Sequence, residues 1–83
     1  MIIAAAIRLG NVIAIVERPG RHHNIIHNLC DAGYPPPVVG QQGFINDKGK
    51  FLHRKGAMVE AKRCNQVLRY TGGSETLYSE DMW

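Results

Sequence analysis

The first apolar stretch runs Ile-Ile-Ala-Ala-Ala-Ile-Arg-Leu over residues 2–9, and a second runs Val-Ile-Ala-Ile-Val-Glu over residues 12–17. Such runs of Ile, Val and Ala predict strands, and one that is apolar on both faces predicts a central strand or one covered on both sides. Gly10-Asn11 lies between them. A two-residue Gly-Asn loop predicts a hairpin, with glycine at the first position of a type II′ turn. The small side chains of Ala4, Ala5 and Ala6 allow another element to approach closely. Pro19-Gly20 closes the hairpin.

The period then changes. Ile25, Ile26, Leu29 and Cys30 recur at helical spacing and predict a helix over residues 21–32, with His23, Asn24, His27, Asn28 and Asp31 on the opposite face. Gly33 suits the position just past its end, and Tyr34-Pro35-Pro36-Pro37 predicts a stiff extended return to the sheet. Residues 40–54 read as a second hairpin turning at Asp47-Lys48-Gly49. A second helix fits residues 55–65, with Ala57, Met58, Ala61, Cys64 and Leu68 on one face. Residues 67–71 fit a fifth strand. Gly72-Gly73-Ser74 makes a turn, and the tail carries Leu77, Tyr78, Met82 and Trp83 as anchors. The expected architecture is α+β: a small antiparallel sheet from two hairpins with two helices, in the order ββαββαβ, and a docked C-terminal tail.

Composition narrows this further. A chain of 83 residues has room for one domain, spanning 1–83, with 73–83 as a tail that could reach a neighbouring subunit. A domain of this size buries roughly 60–65% of its unfolded surface, which leaves its stability marginal. Cys30 and Cys64 form no CxxC pair and no zinc-ligand spacing with the histidines. Both are read as reduced core residues, with a single disulfide between the helices as the alternative. Self-association is then the favoured source of added stability. The net charge of +3 favours an anionic partner without announcing DNA. Glu60, Glu75, Glu80 and Asp81 make the C-terminal end acidic against a basic middle. The N-terminal apolar run is too short for a membrane span and has no basic flank before it, so a cytoplasmic location with no membrane partner is expected.

Three groups of residues carry candidate chemistry. Arg18, Arg21, His22 and His23 sit at a helix start, where free backbone N–H groups and arginine forks can hold a phosphate, or where they simply form a solvated loop. His23 and His27 share a face at metal-binding spacing but lack a third ligand, so no metal is expected. In Gln41-Gln42-Gly43-Phe44, the ring of Phe44 either stacks on a flat ligand or belongs to the core. Lys48, Lys50, His53, Arg54 and Lys55 form a basic cluster. Cations at a helix start oppose its dipole, and a bound anion would relieve that cost. No nucleophile motif or phosphate loop is complete, so binding without catalysis is expected; a phosphodiesterase remains an alternative, although its HxT pairs are absent.

The segments Gly20-Arg21-His22-His23, Gln42-Gly43-Phe44, Gly49-Lys50-Phe51, Arg54-Lys55-Gly56-Ala57 and Asn65-Gln66, with the ending Leu77-Tyr78-Ser79-Glu80-Asp81-Met82-Trp83, resemble small phage and prophage proteins. Those share a GRHH stretch, a hairpin-to-helix GF…GxF…RxxA stretch, a Gly-Gln step and an LYSEDLW-type ending. The resemblance covers most of the chain and extends to the Thoeris anti-defence sponge family. It implies a homo-oligomer, dimer or hexamer, that sequesters a signalling nucleotide in the host cytoplasm, either a cyclic ADP-ribose isomer or a cyclic oligonucleotide of the CBASS type. It needs no cofactor. The implied ligand contacts are Arg21, His22, His23, Gln42, Phe44, Lys50 and Arg54, with Arg21, Lys50 and Arg54 on phosphates. The alternative is an inhibitor that docks directly on a host defence protein. The chain departs from the pattern at His53, where Asp is usual, at Gly56, where Glu is usual, and at Asn65, where Gly is usual.

Overall fold

In a computed structural model, described for residues 1–34 and 40–83, both hairpins form and join side by side through their first strands. The elements are β1 (Ile2–Leu9), β2 (Val12–Glu17), α1 (His22–Asp31), β3 (Gln41–Asn46), β4 (Phe51–His53) and α2 (Arg54–Arg63). The strands lie in the order β2-β1-β3-β4, every neighbouring pair antiparallel. Gly10 takes φ 59°, the positive value a type II′ turn requires at its first loop position. Residues 35–37, expected as an extended link, lie outside the described residues.

Strand parity divides the sheet into two faces. One carries Ala5, Ile7 and Phe44, with Leu9, Ala14, Val16 and Leu52 partly buried around them. Both helices cover this face, α1 above β1 and β2, and α2 above β1, β3 and β4. Ile25 comes from α1, and Ala57, Met58 and Ala61 from α2, to complete a single core. The other face carries Ala4, Ala6 and Ile45, which are buried yet stand outside that core.

The ends of α2 explain two features. The helix stops at Cys64, and Asn65 takes φ 55°, a left-handed conformation that glycine adopts freely and asparagine tolerates. Turning the chain there lets the Gln66 amide face β1. Its Oε1 accepts from Ile2 N and its Nε2 donates to Ile2 O, both at 2.8 Å, so the side chain stands in for a strand residue beside a bulge. The start of β1 is tied at the same end, where the Met1 ammonium meets Asp47 at 2.7 Å and Glu60 at 3.1 Å and its pKa rises to about 10.

Three expectations need correction. Residues 67–71 form no strand, because their backbone donors turn to Asp81 instead of a neighbouring ladder. Leu68 N and Arg69 N donate to the Asp81 carbonyl, and Thr71 N donates to its carboxylate. Leu68, beyond the end of α2, is exposed. Neither cysteine lies deep in the core: Cys30 is exposed and Cys64 half-buried, both as free thiols. The inward arc of α1 runs through Ile25, Leu29 and His22, and Cys30 falls roughly 80° beyond His22 at its edge, at 100° per residue.

The tail closes the core on its own subunit. Leu77 and Met82 enter it, and a single 3₁₀ turn spans Ser79–Asp81. Asp81 is fully buried, and its carboxylate accepts from Thr71 N and Thr71 Oγ1, both at 2.7 Å, and from Tyr78 N at 2.9 Å. Burial alone would raise its pKa, but these bonds outweigh that and hold it below the usual carboxylate range. Asp81→Asn keeps the shape but turns one acceptor into a donor facing donors. We expect a loss of about 2–3 kcal/mol, with the thermal midpoint falling by roughly 10–20 °C. Thermal melts followed by circular dichroism measure it; an unchanged midpoint would show that the tail does not depend on this charge.

Candidate functional site

The start of α1, the middle of the sheet, the start of α2 and the tail meet in one place. Arg54, the first residue of α2, donates through Nη1 to the Leu77 carbonyl at 2.8 Å, and Leu77 N returns a bond to the Arg54 carbonyl at 3.1 Å. Its guanidinium lies 4.4 Å from the Tyr78 ring centroid and also bonds Gln42 Oε1. Tyr78 packs in turn on Gly72, where a Cβ would fall 1.9 Å from the ring, so only glycine fits. Desolvation is the largest influence on Arg54 and pulls its pKa below the ordinary arginine value, while Tyr78, Glu80 and Asp81 oppose it.

Arg21 performs the matching task at the other end of the tail. It caps α1, its backbone N–H donating to Asn24 Oδ1 at 2.8 Å. Its guanidinium bonds the Trp83 carbonyl and lies 3.8 Å from Glu80. The Trp83 indole N–H donates to Gly20 O at 2.9 Å. His22 points inward between the two arginines' segments. Its Nε2 donates to Gly43 O at 2.8 Å, which makes it the Nε2–H tautomer, and its ring meets Phe44 edge-on at 5.1 Å.

The implied contacts therefore separate into groups. Arg21, Gln42 and Arg54 come together around the tail, and exposed His23 stands in the same first turn as His22. His22 is buried and serves as internal support. Phe44 is fully buried, so its ring offers no face to a ligand and belongs to the core. Lys50 follows the β3–β4 turn, its N–H bonded to Asn46 Oδ1. That is four residues along β3 from Gln42, roughly 13 Å, so Lys50 does not join the arginines. His27 pairs with Asp31 at 3.3 Å. Among the described residues no three His, Cys, Asp or Glu side chains gather as a metal site, and no helix is long and apolar enough to cross a membrane.

The convergence places the GRHH stretch, the Gln-Gly-Phe step, the arginine opening α2 and the acidic-aromatic ending in mutual contact. The family model described as Phage T4 y16D protein matches all of these segments, over residues 1–83. The chain belongs to the phage T4 y16D protein family. It is thus a small phage protein. Comparison with curated proteins and with solved structures finds no match. Missing from the sequence reading were Tyr78, Glu80 and Trp83 as partners of the arginines. Their signal was the run of polar and aromatic residues in a tail too short to form an element of its own.

Burial depresses the pKa of His22, with Arg54 adding to the depression and the Gly43 bond and Glu80 opposing it. The folded state therefore resists protonation that the unfolded chain accepts near pH 6.5. Stability is fully present above that pH and falls as pH drops below it. We expect the thermal midpoint to decline as the pH falls below about 6.5, and His22→Gln, which keeps a donor to Gly43, to flatten that decline. Equal slopes for both proteins would remove His22 as the cause.

Proposed function

We propose that this phage protein is an anti-defence binder that sequesters a phosphate-bearing immune signalling nucleotide, a cyclic ADP-ribose isomer or a cyclic oligonucleotide, in the host cytoplasm without cleaving it. The observation that carries the reading is the half-dry Arg54 guanidinium with exposed Gln42 bonded to it, on a surface shared with Arg21. Each guanidinium has five donors, and the tail carbonyls and Gln42 leave some of them free. Glu80 and Asp81 offset part of this positive charge, but the carboxylate of Asp81 is bonded to Thr71 and Tyr78, and Glu80 lies 3.8 Å from Arg21. A phosphate bridging such donors gains charge-assisted bonds in a partly desolvated place.

In this reading Arg21 and Arg54 hold phosphate, Gln42 and His23 reach polar edges of the ligand, and His22 keeps β3 and α1 in register. Base stacking by Phe44 and a phosphate contact by Lys50 drop out on the geometry above. Holding without turnover suits a site whose polar groups are bound into the fold.

Calorimetry with cyclic ADP-ribose isomers and cyclic di- and trinucleotides tests this. Arg54→Lys keeps the charge but loses the fork, and Arg21→Ala removes both. Each should weaken binding roughly tenfold to a hundredfold, while Lys62→Ala on the exposed side of α2 changes it less than about threefold. Thermal melts of the same proteins separate lost contacts from a loosened tail. Mass spectrometry after heat release should recover the ligand intact. Recovery of a cleaved product would establish an enzyme, and binding of none of these ligands by the intact protein would favour direct docking on a host defence protein.

A further inference from the structure

The sheet face turned away from the helices is apolar, and among the described residues no helix or tail segment covers it. Ile3, Ile13 and Ile15 are 42%, 41% and 51% exposed on it. Ala4, Ala6 and Ile45, also on this face, are buried by their neighbours alone. Phe51 folds its ring across Gly43, where a Cβ would fall 2.6 Å from the ring, so the middle of the face is flat. Four strands at about 4.8 Å and five residues at about 3.4 Å give it roughly 330 Å² in projection. That reaches the size of the largest apolar patch on ordinary monomers. Side-chain relief raises the accessible area towards the roughly 600 Å² per partner of the smallest specific interfaces.

The charges on this face identify the occupant. In register, Glu17 stands opposite Ala4 and Arg8 opposite Ile13, so the two charged residues flank the apolar middle at opposite ends. Glu17 shares a shallow hollow with Ile3, Ile15 and Ile45, which places it on this face; Arg18, the next residue, lines the rim of the same hollow, and Arg8 shares another with Gln41 and His53. A two-fold axis across the strands, lying in the face, reverses the rows and keeps each strand over its own copy. It brings Glu17 to the same end as the partner subunit's Arg8, one strand over, twice, and stacks Ile15 on its own copy at the centre. Such self-complementarity is what an isologous contact requires.

We infer that this face docks a second copy of the chain, with the two sheets packed antiparallel about a two-fold axis. The apolar faces meet as in an aligned sandwich, and each Glu17–Arg8 pair fixes the direction. The inference is independent of the nucleotide reading, since the arginine cluster lies on the helix side.

Sedimentation equilibrium on the full chain is the test. The intact protein should be dimeric. Ile15→Lys, a change at a residue half in water in the single subunit, should raise the dissociation constant at least about a hundredfold while leaving circular dichroism unchanged. Arg8→Glu and Glu17→Arg should each raise it roughly tenfold or more, and the double exchange should recover most of the loss. Arg8 and Glu17 are exposed, so this series stays readable even if Ile15→Lys fails to fold. An intact protein that is monomeric at every concentration reached would overturn the inference, whether or not a host protein binds this face. A dimer indifferent to all these changes would also overturn it, pointing to pairing along the open edge of β2. Single losses without recovery in the double exchange would overturn the two-fold arrangement.

Discussion

The buried carboxylate of Asp81 and the tail it organises close the structure. Two helices of ten residues, each roughly 15 Å long, cannot roof a four-stranded sheet by themselves. Leu77 and Met82 fill the remaining space, but they arrive on a segment with only one 3₁₀ turn of regular structure. An irregular segment in contact with a core must find partners for its backbone groups outside any helix or ladder. Asp81 takes the donors at Thr71 and Tyr78, its carbonyl takes those at Leu68 and Arg69, and Arg54 and Arg21 supply the carbonyls of Leu77 and Trp83. The polar residues that distinguish this sequence are thereby tied to one structural demand.

That demand bears on function. The arginines proposed to hold phosphate already hold the tail, so ligand binding and tail docking draw on the same two groups. A ligand that completes their coordination would bind the docked form and not the undocked one, and would stabilise the fold by mass action. A ligand that took donors away from Leu77 or Trp83 would loosen the tail instead. The two cases are distinguished by the sign of the shift in thermal midpoint on binding, which makes stability a readout of how the site is used.

The parts of the fold with a period were legible in the sequence. Both hairpins, both helices and the glycine-led turn follow from alternation, helical spacing and turn chemistry, with helix ends off by a residue or two. The errors fall where period stops being informative. A short β-rich run at 67–71 has strand composition, but a carboxylate ten residues later supplies its partner. His22 reads as a ligand contact at the helix start, so the inward stripe of α1 is drawn from Ile25, Ile26, Leu29 and Cys30 alone. Phe44 stays open between core and ligand, because its neighbours on the same face of β3, Gln42 and Asn46, are polar and give no sign of the helices above it. The roles of Arg21 and Arg54 on the tail carbonyls had no local signal, since they join residues 62 and 23 positions apart.

The central strand leaves one demand of the sequence half met. Three successive alanines place small side chains on both faces of β1, and a strand apolar on both faces belongs between two layers. On one face Ala5 lies beneath the helices, with Ile25 and Met58 in the same core. On the other, among the described residues, Ala4 and Ala6 are shielded by neighbouring side chains, while Ile3, Ile13 and Ile15 stand half in water. A domain this small has little stability to spare for leaving such surface wet. The same flatness that lets helices approach one face makes the opposite face suited to another flat surface. In the alignment proposed above, that surface would be a second copy of the protein, because a reversed copy brings an arginine to the end where Glu17 lies and a glutamate to the end where Arg8 lies.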